Sequence, residues 1–199
     1  MAWPPGARER LSALKDDIVK NQHTPLYIVR RHITYGPSCL LDEDRHFDLR
    51  ARVGSKFGIH PSEVVLVGSG KLGFSVKPSR RFEPFGEASD LDLALVSQHL
   101  FNRYWQEAYA FEANGGTWER VSEFKDFLFR GWIRPDMLPT SASFKMSNEW
   151  FEYFRDLTSK RLYGNYKITA GIYRSWFFLE EFQQVAIRAC QRVLLGESA

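Results

Sequence analysis

Two aspartates with one residue between them, Asp90 and Asp92, follow a glycine-serine step, Gly68-Ser69, with Asp90 standing 21 positions after Ser69. In an extended chain successive side chains alternate, so Asp90 and Asp92 project from one face of a strand while Leu91, Leu93 and Leu95 enter the other. Carboxylates held a few ångströms apart repel each other, and such a pair is comfortable chiefly when a divalent cation, Mg²⁺ or Mn²⁺, neutralises it. A tight Gly-Ser turn leaving a neighbouring buried strand would aim backbone N–H groups and the Ser69 hydroxyl at phosphate oxygens. The chemistry expected of this set is that of a metal-bound triphosphate.

The elements needed to bring those residues together are legible around them. Val64-Val65-Leu66-Val67 is a continuous apolar, mostly β-branched run stopped by Gly68, which predicts a strand buried on both faces. A second strand is expected over Leu91–Val96. Residues 43–57 read as a helix: Asp42, Glu43 and Asp44 sit at its positive end, Leu49, Val53 and Phe57 recur four apart, and Gly58 closes it. Before it come a surface helix over 8–20 and a second opened by Thr24-Pro25, with Leu26, Val29 and Ile33 as its inner stripe. Residues 74–89, with Pro78, Pro84 and Gly86, read as a long loop or ribbon.

Further helices are expected over 100–112, 118–130 and 147–162, separated by Asn114-Gly115-Gly116 and the Pro135 to Pro139 segment, and a closing helix over 175–195. Their aromatic residues, Trp150, Phe151, Tyr153 and Phe154, then Trp176, Phe177 and Phe178, read as packing for a helical cap. Residues 166–173 alternate Tyr166, Ile168, Ala170 and Ile172 with Lys167, Thr169, Gly171 and Tyr173, predicting a strand with one buried and one open face. The fold class is therefore α/β (α+β), a small mixed sheet flanked by helices with a helical C-terminal portion. One domain over 1–199 is expected, its core at about 43–97 plus the strand 166–173, with helical elements at 100–162 and 175–195.

Composition limits the function classes. With 27 Lys and Arg against 24 Asp and Glu, the formal charge of +3 is too mild to argue by itself for a nucleic-acid surface. Cys39 and Cys190 match no zinc or redox spacing and fit buried thiols in a reducing compartment. No signal-peptide pattern opens the chain and no apolar run reaches spanning length, so a cytoplasmic protein with no membrane partner is expected. His23, His32, His46, His60 and His99 show no ligand spacing. Lys77, Arg80 and Arg81 form a basic stretch suited to a solvated loop, or to a polyphosphate or oligonucleotide backbone.

An apolar strand ending in Gly68-Ser69, then an acid-apolar-acid step at Asp90-Leu91-Asp92, resembles the nucleotidyltransferases of the DNA polymerase β type, over roughly residues 43–97. More narrowly, Gly68-Ser69-Gly70-Lys71-Leu72-Gly73-Phe74-Ser75 with Ser89-Asp90-Leu91-Asp92 is similar to small bacterial nucleotidyltransferase-like proteins, some linked to anti-phage defence. The resemblance implies transfer of a nucleoside monophosphate from an NTP such as ATP, or a dNTP, to a hydroxyl acceptor on a nucleotide, oligonucleotide or protein. Pyrophosphate would leave, with two metal ions about 4 Å apart. It implies Asp90 and Asp92 as catalytic metal ligands and Gly68, Ser69 and Lys71 as nucleotide-binding residues.

Two features depart from the pattern. The interval from Ser69 to Asp90 is long, and the family's third carboxylate is missing from the open face of 166–173, which offers Lys167, Thr169, Gly171 and Tyr173. Asp136 or Glu87 would have to supply it from a loop. The alternative is a catalytically reduced nucleotide-binding module, or an antitoxin-like one that binds a toxin or effector partner.

Rival motifs are weaker. Gly68-Ser69-Gly70-Lys71-Leu72-Gly73 also fits the dinucleotide fingerprint G-x-G-x-x-G, but that unit needs a crossover helix where residues 74–89 carry prolines and no helical stripe. A P-loop fails because Leu72 follows Lys71, and a kinase fails because neither H-R-D nor D-F-G occurs.

Overall fold

The computed structural model describes residues 2–20, 22–86 and 89–196. Helix α1 spans Ala7–Val19. Helix α2, Pro25–Val29, starts as expected: the Thr24 side chain accepts from the Tyr27 N–H at 3.2 Å. It then widens into a π-helical turn over Arg30–Thr34, which rotates the inner stripe so that Ile28, Val29 and Ile33 are buried while Leu26 is only partly so. Helix α3 runs Glu43–Phe57; the Asp42 carboxylate accepts from the Arg45 N–H at 2.8 Å, and Gly58 ends it at φ 67, a conformation open to glycine.

Strand β1, Val64–Val67, passes straight into a five-residue helix α4, Gly68–Leu72. An irregular ribbon follows, held by a bridge between Phe74 and Pro84, and leads to strand β2, Leu91–Val96. Helices α5 (Gln98–Ala113) and α6 (Val121–Phe129) precede a two-residue strand β3, Trp132–Ile133. Helix α7 (Lys145–Ser159), strand β4 (Ile168–Tyr173) and helix α8 (Trp176–Leu194) complete the chain.

The sheet has the order β1-β2-β4-β3, with β1 antiparallel to β2, β2 parallel to β4 and β3 antiparallel to β4. This is the mixed α/β architecture that the sequence predicts. On one face Leu66, Leu91, Leu93, Leu95, Ile168 and Ile172 pack on α3, α5 and α7 through Leu49, Val53, Phe101, Trp150 and Phe154. On the other, Val65, Val67, Ala94, Val96 and Tyr173 pack on α1, α2 and α8 through Leu14, Ile18, Ile28, Leu179 and Ile187. Strand β2 is therefore interior, and its acid, Asp92, does not line a solvated edge. Because β1 and β2 are antiparallel, there is no parallel crossover between them, and the dinucleotide unit that the glycine fingerprint would need does not form.

Three expectations need correction. The face of β4 read as open is covered over its second half: Tyr173 is 4% exposed and the Trp132 indole lies over Gly171, while Thr169 is half-buried and Lys167, just before the strand, is exposed. The aromatic residues at the start of α8 are not all packing, since Trp176 and Phe177 are exposed, and Phe151 on α7 is exposed as well. Of the two cysteines, Cys190 is buried but Cys39 only half so.

Candidate functional site

The register pairs Val67 with Asp92, so the end of β1 and the turn after it lie beside the first acid-bearing rung of β2. Gly68 makes that turn at φ 65, and a Cβ built there would stand 3.3 Å from Asp92 Oδ2. The other carboxylate oxygen, Oδ1, accepts from the Thr169 hydroxyl at 2.7 Å, because Asp92 and Thr169 are direct partners across β2 and β4. Asp92 is thus fixed in one orientation, with one oxygen gripped by Thr169 and one turned to the Gly68 bend. Gly70 seats α4 on the same rung: a Cβ there would meet Leu91 Cδ2 at 2.9 Å and lie 3.6 Å from the Asp90 carbonyl.

Asp90, half-buried, precedes β2 on the Asp92 side, and Ser69 is half-buried on the turn. The Leu91 N–H donates to the Lys167 carbonyl at 2.8 Å, so Lys167 flanks β4 at the level of Asp90. Lys167 and Lys77, which comes from the ribbon, are both exposed. Burial raises the Asp92 carboxyl above the ordinary range; the Thr169 hydrogen bond and Lys77 pull it down, Asp90 pushes it up, and Lys167 pulls it down. The Asp92 carboxylate therefore meets the Thr169 hydroxyl and the Gly68 turn, within the electrostatic reach of Asp90, Lys77 and Lys167.

Lys71 has a different setting. Its side chain is buried and its ammonium donates to the Gly36 carbonyl. Burial, with Arg10 and Arg50 nearby, lowers it to about 8. The same segment holds the end of α4: the Ser38 hydroxyl donates to the Gly70 carbonyl at 3.2 Å, and the Cys39 N–H to the Lys71 carbonyl at 2.9 Å. Lys71 is part of a strap that braces the turn.

The loop candidates for a third acid fare unequally. Asp136 is ion-paired to Arg120 at 2.8 Å and to Arg134 at 2.9 Å; burial would raise its carboxyl, but the two guanidiniums overcome that and hold it below the carboxylate range. Glu87 lies outside the described residues. Among the described residues no group of three or more His, Cys, Asp or Glu side chains is placed to hold a metal. The pair Asp90 and Asp92 remains, and Mg²⁺ is commonly held by one or two carboxylates together with substrate phosphates and water.

One further residue on this side, Trp132, escaped sequence reasoning. The Trp132 indole stacks on Tyr173 with ring centres 5.3 Å apart, and its buried N–H has no partner among the described residues. A Cβ on Gly171 would stand 2.5 Å from that nitrogen. The readable signal was Gly171 itself, a glycine inside a strand, which marks a close approach by a neighbour.

Set against known protein families, curated proteins and solved structures, the chain matches none.

Proposed function

We propose that this protein binds a nucleoside triphosphate with a divalent cation and acts as a metal-dependent nucleotidyltransferase toward a hydroxyl acceptor. The observation that carries this reading is the Asp92 carboxylate clamped between Thr169 and the Gly68 bend, with Asp90 beside it. Asp90 and Asp92 would hold Mg²⁺ or Mn²⁺, which when bound supplies neutralising charge and polarises phosphate oxygens. The Gly68-Ser69 turn would receive the outer phosphates. Lys77 and Lys167 would add the positive charge, since the Lys71 ammonium is committed to Gly36. A role in anti-phage defence, and an effector or toxin partner, rest on the family resemblance and belong to the same proposal. Among the described residues, no helix is long and apolar enough to cross a membrane.

One observation favours the second reading, a nucleotide-binding module without turnover. The strand position facing Asp92 carries Thr169, a neutral hydroxyl, where polymerase-like activation of the acceptor would call for a third acid.

Calorimetry with each nucleoside triphosphate and Mg²⁺ or Mn²⁺, paired with a pyrophosphate-release assay, separates the readings. Binding with release supports the transferase, and both should vanish in Asp90→Asn/Asp92→Asn. Binding without release supports the module. No binding of any triphosphate would overturn both.

The lysines give a finer test. Lys77→Met/Lys167→Met should weaken triphosphate affinity by about 10- to 100-fold, the worth of one or two charge-assisted hydrogen bonds. Both side chains are exposed, so the melting temperature should hold. Unchanged affinity would remove them from the site.

A further inference from the structure

Helix α8 carries two apolar faces. One, through Leu179, Ile187 and Cys190, is buried against the sheet and its neighbouring helices. The other runs Phe178, Phe182, Val185 and Ala189, with steps of four, three and four, the repeat of a two-helix seam. Phe182 is 43% and Val185 60% exposed, and Phe178 and Ala189 are half-buried. The turn after α6 packs on this stripe, since a Cβ on Gly131 would stand 2.2 Å from the Phe178 ring, and Phe129, the last residue of α6, is 91% exposed. Apolar side chains gathered in this way on a surface mark an association site.

Charge on the flank says what covers it. With Phe178 and Val185 at d positions and Phe182 and Ala189 at a, Glu181 and Arg188 both fall at g. In a parallel pair, g faces e, and the e positions here are Leu179, Ala186 and Val193, none of them charged. In an antiparallel pair, g faces g. Setting Phe182 of one copy against Val185 of another then places Glu181 beside the second copy's Arg188, and by the two-fold the reverse contact forms as well. Within one chain Arg188 and Glu181 lie 3.9 Å apart, both half-exposed, and are bridged by the Gln184 side chain, which accepts from Arg188 at 3.0 Å and donates to Glu181 at 2.8 Å, so the pairing between copies exchanges this bridge for direct ion pairs.

We infer that the chain forms a homodimer through antiparallel pairing of α8, its seam built by Phe178, Phe182, Val185 and Ala189 and its register set by reciprocal Glu181–Arg188 pairs. Sedimentation velocity of the full chain should show a monomer–dimer equilibrium over roughly 1–100 µM. Val185→Glu should sediment as a monomer throughout, with an unchanged circular dichroism spectrum because Val185 is 60% exposed in the single chain, whereas Phe182 also packs on Trp132 with ring centres 4.4 Å apart and is left in place. Glu181→Arg should weaken the dimer by about tenfold, and Glu181→Arg/Arg188→Glu should restore it to within about threefold of the starting chain. A chain monomeric at the top concentration overturns the inference. So does a dimer that survives Val185→Glu, or a charge swap that fails to restore association; a heterologous partner on the same stripe would leave the chain monomeric at the top concentration.

Discussion

Asp92→Asn is expected to stabilise the fold while destroying triphosphate binding. The asparagine keeps the shape of the side chain and an oxygen to accept from Thr169, which bonds Asp92 Oδ1 at 2.7 Å. It removes a charge that burial disfavours and that Asp90 repels. A carboxyl whose folded-state pKa is raised binds its proton more readily in the folded chain than in the unfolded one. Its contribution to stability is therefore fully present below the unfolded pKa and is lost as pH rises through the folded pKa. The gain from Asp92→Asn should thus be absent at acid pH and full at pH 7, where each kcal/mol recovered lifts the melting temperature by about 2–4 °C for a chain of this size. On the proposed function, affinity for a Mg²⁺-nucleotide should fall by about 100-fold or more, since Asp92 would be a metal ligand itself rather than the support of one. Thermal melts at several pH values, run beside nucleotide titrations, check both arms. A variant less stable than the parent at pH 7 would mean that the Asp92 charge serves the fold, and the case for a ligand would lose its main support.

That expectation rests on geometry only partly readable in the sequence. The pairing of Asp90 with Asp92 on one face and the abrupt end of β1 at Gly68 are local, set by the period of two and by glycine. Helix α3 is equally local, since its Asp42 cap, its four-residue spacing and Gly58 all act within the segment. Helix α4 is not, because Gly68-Ser69-Gly70-Lys71-Leu72 has poor intrinsic helicity and its carbonyls are held from afar by Ser38 and Cys39. Strand β3 has two residues and no period to detect. The clamp on Asp92 depends on a register between strands 77 residues apart, and alternation alone cannot set that register. The same holds for Lys71: spacing puts it beside the Gly68-Ser69 turn, yet its long stem reaches back to Gly36, a contact that only the folded chain defines.

The largest loss of stability should come from Trp150→Ala, far from the acids. Trp150 is 2% exposed on α7, and its ring lies 4.8 Å from Phe57, 5.0 Å from Phe154 and 5.6 Å from Tyr104. One side chain thereby joins α3, α5 and α7, the layer on which Leu91, Leu93 and Leu95 rest. Truncating a buried tryptophan costs about 3–5 kcal/mol, out of a total that for single domains is about 5–15. The melting temperature should drop by roughly 6–20 °C. Phe151→Ala, one residue on and 40% exposed, should stay within about 0.5 kcal/mol, so the pair separates burial from mere loss of an aromatic ring. Urea unfolding measures both. Because the leucine face and the aspartate face belong to the same interior strand, loosening the first must also loosen the second. Triphosphate affinity in Trp150→Ala should therefore fall at temperatures where the chain is still mostly folded, although no atom of Trp150 belongs to the site. A loss below about 1 kcal/mol would instead show that α7 is a peripheral element that the strand does not need.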